Sequence, residues 1–92
     1  MDQNKMAKGR NNELIKARNY KLIARFYWYN SIIGLKFEKC IEQLEKEFDL
    51  SLSRIADLIT ENVCYLSDFE TKKPNEKELK KIIPFFNWNY KR

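Results

Sequence analysis

The sequence predicts an all-α fold: a small bundle of four to five helices that contains a helix-turn-helix and carries an aromatic C-terminal tail docked on helix 1. Three observations lead there. Apolar residues recur at three- and four-residue spacing in several stretches, which is the period of one helical face. The breaks between those stretches hold residues that end or start helices, namely Gly34, Asp49 ahead of Ser51, Asn75 and Pro84. With 92 residues the chain can build one core and no more, burying somewhat over ~60 % of the surface of the open chain.

Residues 1–11 are polar, include Lys5, Lys8, Gly9 and Arg10, and read as a flexible basic arm, either a solvated tail or a phosphate-contacting one. A single helical helix-turn-helix domain is expected over 12–92. Its first helix spans 12–33, with Asn12 as cap and Ile15, Leu22, Phe26, Tyr29 and Ile33 on one stripe. Gly34 is placed to end it in the left-handed conformation. Arg18, Lys21 and Arg25 recur beside the stripe, forming a positive edge that is either an ordinary solvated face or a phosphate-binding one. Phe26, Tyr27, Trp28 and Tyr29 crowd four aromatics into little more than one turn. They cannot all face one core, so some of Tyr20, Tyr27 and Trp28 should meet a second layer, either the C-terminal segment or another subunit.

Only Gly34 and Leu35 separate this helix from the next, which makes an antiparallel hairpin. Phe37, Ile41, Leu44 and Phe48 give the second helix its apolar face, and Glu38, Glu42 and Glu45 its exterior. Asp49 tolerates the left-handed region and Ser51 can accept from a free first-turn amide. A third helix then buries Ile55, Leu58 and Ile59. These two helices, spanning 36–59, are the helix-turn-helix candidate. At the start of the third helix Arg54 suits guanine in a major groove and Ser53 a phosphate or base edge, whereas Asp57 and Glu61 would be repelled by the DNA backbone. This helix either stops near Asn62 or, the favoured reading, continues with a bend through Val63, Leu66 and Phe69. Residues 70–74 form a basic linker. Asn75 and Glu78 make a capping-box pattern ahead of Leu79, Ile82 and Ile83, and Pro84 ends that helix. The aromatics that follow are costly to leave in water and should dock on helix 1, in the same chain or in a partner.

Charge is unevenly spread. The net +5 resolves into eight basic against two acidic residues over 1–36, three against nine over 37–70, and seven against two over 71–92. Basic ends flank an acidic middle, so a nucleic acid would be gripped mainly through the ends. Cys40 and Cys64 lack any histidine to join them in a zinc site, and both are expected to be small core residues in a reducing compartment. No apolar run nears the ~18 residues of a membrane span and the start lacks an apolar secretion segment; a cytoplasmic bacterial or phage protein with no membrane association is expected. Without histidine, a glycine-rich phosphate loop or a serine beside a base, no enzyme activity, metal or cofactor is expected.

The segment Arg18-Asn-Tyr-Lys-Leu-Ile-Ala-Arg-Phe-Tyr-Trp-Tyr29, with Glu47-Phe-Asp-Leu-Ser51, Ile55 and Leu79-Lys-Lys-Ile-Ile-Pro-Phe-Phe-Asn-Trp88, resembles the small transposase-like helix-turn-helix proteins of bacterial mobile elements. The likeness covers about two thirds of the chain and rests largely on structural aromatics. It implies a DNA-binding domain of the kind attached to transposases or used in element regulation. It does not imply transposase chemistry, for which these residues leave no nuclease domain. The resemblance assigns the DNA-facing role to Ser51, Ser53 and Arg54, and by extension to Arg18 and Arg25; Asp57 and Glu61 depart from the basic residues expected after Arg54.

The function expected is therefore non-catalytic DNA binding by a protein of a phage or mobile element, with double-stranded DNA and a second copy in a homodimer as partners. Helix 3 would read through its first turn. The arm, the Arg18, Lys21 and Arg25 edge, and Lys72, Lys73, Lys77, Lys80 and Lys81 would hold phosphates. The alternative is a protein-binding module, a phage-encoded inhibitor or adaptor, whose acidic middle faces a partner with a basic surface and whose exposed aromatics supply the hot spots.

Overall fold

The computed structural model describes the backbone of residues 2–88 and the side chains of residues 12–88. Among the described residues five α-helices follow one another: α1 (Asp2–Tyr27), α2 (Phe37–Phe48), α3 (Leu52–Glu61), α4 (Val63–Lys72) and α5 (Glu76–Ile82). There are no strands among the described residues, and the all-α bundle expected from the periodicity is what the chain forms.

The second half of α1 is the axle. Eight consecutive residues, Leu22 to Tyr29, are all buried, so every side of this helix must be covered rather than one stripe. On one side α2 brings Cys40 and Leu44, both fully buried, and Phe37 meets Phe26 edge-on at 5.8 Å. On another, α4 brings Phe69 against Tyr20 and Tyr27 and Tyr65 against Tyr20, with ring centroids 5.3 to 5.7 Å apart. The C-terminal segment closes the third side, with Trp88 edge-on to Trp28 at 5.4 Å. The second layer required by the surplus aromatics is thus supplied by α4 and by the tail of the same chain. Trp88 and Phe86 dock as expected, whereas Phe85 stays 77 % exposed.

Nothing in the sequence between Asp2 and Asn12 compels a start at Asn12, and α1 begins at Asp2 instead. Gly9 costs about 1 kcal/mol in a helix interior without breaking it, there is no proline, and extending a helix already nucleated is far easier than starting one. The side chains of the basic arm lie outside the described residues. Ile15, placed on the buried stripe by its spacing, is 46 % exposed and Leu14 67 %, because α1 runs past the elements that cover its second half. Beyond Tyr27 the helix widens into a π-helical stretch (Trp28–Ile33) and closes on Gly34, at φ 89°, whose N–H, with that of Leu35, bonds the Tyr29 carbonyl at 3.0 and 2.9 Å.

At the next corner Asp49 takes the left-handed conformation, φ 54°, and its N–H bonds Glu45 O. The Ser51 hydroxyl then caps α3 by accepting from the Arg54 N–H at 3.2 Å. Ile55, Leu58 and Ile59 are buried, so the helix-turn-helix forms on the residues that predicted it. The continuation with a bend resolves into two helices parted by Asn62, whose side-chain amide donates to Leu58 O at 2.8 Å, competing with the backbone for the end of α3. Val63, expected on the buried stripe, is 53 % exposed. The linker is short: α4 ends on Lys73 in the left-handed conformation, φ 49°, followed by buried Pro74 and the Asn75–Glu78 capping box, complete in both directions. On α5, Leu79 and Ile83 are buried while Ile82 is 47 % exposed. Cys40 is a core residue and Cys64 is not: Cys64 is exposed on α4 and both thiols are free. Among the described residues no helix is long and apolar enough to cross a membrane.

Candidate functional site

The first turn of α3 is presented outward. Leu52, Ser53, Arg54 and Asp57 are exposed. Ser51 uses one oxygen lone pair on the cap, leaving its O–H proton able to donate. Arg54 reaches two turns along α3 to Glu61, Nη1 to Oε2 at 3.3 Å, with both side chains about half exposed. A surface ion pair of this kind contributes about 0–1 kcal/mol, so it restrains Arg54 without holding it. Ser53 makes no side-chain hydrogen bond to a described residue.

The positive edge of α1 is divided by the fold. Arg18 is half-buried and donates to its neighbour Asn19 at 3.0 and 3.3 Å. Lys21 lies over the Phe85 ring, 5.0 Å from its centroid. Arg25, expected on the same edge, is only 6 % exposed. Its guanidinium is ringed by Trp28, Tyr29, Phe86 and Trp88 at 4.4 to 5.1 Å. It donates Nε–H and Nη2–H to the Glu47 carboxylate at 3.0 and 2.8 Å, and Nη1–H to the Asn87 carbonyl. Tyr29 Oη donates to the same carboxylate at 2.6 Å. Burial, then the hydrogen bond to Glu47 and its charge, push the Tyr29 phenol above its ordinary range. Arg25 is therefore a clamp that ties α1, α2 and the C-terminal segment together, and it is not available to a phosphate.

The lysines near the C-terminus stay outside. Lys72 pairs with Asp68 one turn earlier at 3.2 Å, both exposed. Lys73 sits at the mouth of an open recess with Tyr27, Ser31 and Glu70; burial, with Glu70 and Glu78 nearby, raises the Tyr27 phenol. Lys77 and Lys80 line a second open recess of about 230 Å³ with Glu76, Phe86, Asn87 and Trp88. Lys81 is exposed beside them. None of Lys73, Lys77, Lys80 and Lys81 forms an ion pair with a described residue. The fold thus gathers Lys21, Lys77 and Lys80 around the docked C-terminal segment, while Arg54 and Ser53 stand on a different element.

Glu47 and Asn87, the partners of Arg25, went unrecognised in the sequence. One signal was there: a single arginine inside eight otherwise apolar or aromatic residues, Leu22 to Tyr29, must either break the buried run or find a buried partner. Among the described residues no group of three or more His, Cys, Asp or Glu could hold a metal ion. The Cys40 thiol is raised by burial and lies 3.5 Å from the Leu35 carbonyl.

Compared with known proteins, the sequence matches no family model, and no curated protein or solved structure is significantly similar to it.

Proposed function

We propose that the chain is a non-catalytic DNA-binding helix-turn-helix protein of a phage or mobile element. The observation that carries this reading is the set of exposed lysines, Lys73, Lys77, Lys80 and Lys81, that make no ion pair with a described residue. Cations left unneutralised on one short stretch of chain suit a polyanion, and phosphate contacts supply most of the affinity of nucleic-acid binding. Arg18, Lys21 and Lys72 extend the grip. Reading falls to the first turn of α3, where Arg54 exchanges Glu61 for a base edge and Ser53 and the Ser51 hydroxyl donate to phosphate or base. Arg25 has no part in contact and acts by holding the tail in place. Purified protein should shift a random duplex at low salt, and Arg54→Ala should weaken a selected site more than a random one. No shift at any salt concentration would overturn the reading.

A second reading has its own observation. Glu38, Asp57, Glu61, Asp68 and Glu70 are exposed, and the charge of 37–70 is opposite to that of both flanks. A protein partner with a basic surface would fit that middle. Capture of a stoichiometric protein from nuclease-treated host lysate, by wild type and not by a Glu38→Lys/Asp57→Lys variant, would favour it. As for self-association, the aromatic surplus from which a homodimer was expected is largely absorbed within one chain, so a dimer would have to use other surfaces.

A further inference from the structure

The C-terminal segment is fastened at two points, and the fastening decides which aromatics face in. Trp88 Nε1–H donates to Ile83 O at 2.8 Å, closing a short loop after α5. Arg25 holds the Asn87 carbonyl from below. Within that loop Trp88 is buried and Phe86 half-buried, against Trp28 and Phe48 respectively. Phe85 points the other way and is 77 % exposed, the largest exposure of any large apolar residue described. A phenyl ring left outside a loop whose two ends, Ile83 and Trp88, are buried and hydrogen-bonded to each other is presented by the backbone, not stranded by a loose end.

One cation lies over it and others stand on the adjoining helix α5. Lys21 lies 5.0 Å from the Phe85 centroid, and Lys77 and Lys80 line the recess beside Phe86, next in the chain. Lys77 and Lys81 are one helical turn apart and share a side of α5. The one carboxylate in the recess, Glu76, accepts from Trp28 Nε1 at 3.0 Å and is held toward the core. An exposed ring with one cation over it and exposed lysines on the short helix just before it in the chain suits an anion that also carries a flat apolar face. That description fits a nucleotide whose base is free of its duplex partner: the phosphates meet the lysines and the base stacks on the ring, as on the stacking platforms of single-strand binders. A paired base keeps both faces inside the duplex stack and could not use Phe85.

We propose that Phe85, with Lys21, Lys77, Lys80 and Lys81, forms a binding site for single-stranded nucleic acid, in which an unpaired base stacks on Phe85. The site rests on the nucleic-acid reading above for the class of its ligand and is separate from the first turn of α3.

The test is fluorescence anisotropy of the full chain with labelled oligo(dT), an abasic strand of equal length, and a random duplex. Wild type should bind oligo(dT) more tightly than the abasic strand. Phe85→Ala should lower oligo(dT) affinity by roughly 5- to 150-fold, the range for one stacked base, and leave abasic and duplex binding within about twofold. Phe85→Trp should retain or strengthen binding, and Phe85→Leu should behave like Phe85→Ala. Because the ring is exposed, these variants are expected to keep the wild-type unfolding midpoint, which a denaturant titration checks. Equal affinity of wild type for oligo(dT) and the abasic strand, or oligo(dT) affinity unmoved in Phe85→Ala, overturns the stacking site and leaves duplex binding standing. Binding to none of the three overturns both. Displacement of oligo(dT) by poly-glutamate as readily as by unlabelled oligo(dT) overturns it in favour of an acidic protein partner.

Discussion

An arginine that is 6 % exposed is tolerable only if its charge and donors are met, and Arg25 is met by Glu47, the Asn87 carbonyl and a ring of aromatic faces. Removing Arg25 takes the forked donor from a partly exposed Glu47 carboxylate and leaves a gap among the aromatic rings, so Arg25→Ala is expected to destabilise by roughly 2–4 kcal/mol, discounted from the fully buried case because the Glu47 side chain is 26 % exposed. Arg25→Lys should not rescue it, since an ammonium cannot make the forked bond and stack at once. In a denaturant-based double-mutant cycle the loss in Arg25→Ala/Glu47→Ala should fall short of the sum of the single losses; additivity would show that the pair is not coupled. Tyr29 gives a pH signature. Its folded pKa is raised above the ordinary value of 10.0, so the native state holds the proton more tightly than the unfolded chain does. That stability is fully present below the unfolded value and is lost as pH rises above about 10. Tyr27 and Cys40 are shifted in the same direction, so the alkaline decline should be shallower but not absent in Tyr29→Phe, as thermal melts across that range would show. The sequence did not reveal this cluster because its members are 22 and 62 residues apart; the regular spacing of Arg18, Lys21 and Arg25 suggested one shared edge, and spacing does not say which side of a fully enclosed helix meets solvent.

Elements whose ends are written locally were legible. Gly34, Asp49, Ser51 and the Asn75–Glu78 box each act within a few residues of themselves, and each does what its chemistry allows. Asn75→Ala is expected to cost about 1 kcal/mol through loss of the α5 cap. Gly34→Ala should cost about 1–2 kcal/mol, since nothing lies within 4 Å of an added Cβ and the penalty is that of the positive φ alone. A much larger loss at Gly34, read from the unfolding midpoint, would mean that packing is also involved. Less legible were the features set by competition between elements. The start of α1, the π-helical widening after Tyr27 and the interruption at Asn62 depend on what covers each helix. Local propensity differs little on either side of those points.

Over the whole molecule, periodicity was enough for the fold class, because helical faces repeat within a few residues and a chain of this length can bury them around only one centre. The tail docking was legible from the cost of exposing so many rings; its exception, Phe85, was not, because inward and outward positions in an irregular loop follow from where its hydrogen bonds fall, and one of those comes from Arg25, 62 residues away. Charge was legible only in part. The basic ends are real in the sequence, yet folding withdraws Arg25 from the surface, half-buries Lys21 against Phe85 and leaves Lys77, Lys80 and Lys81 exposed on α5. The most direct test of DNA binding is therefore equilibrium binding to a random duplex across a salt series. The expected result is a linear fall of log K with log salt, with a slope of roughly −4 to −6 for five or six phosphate contacts, made shallower by about two in Lys77→Ala/Lys80→Ala. A slope near zero, or no binding at the lowest salt, would contradict it.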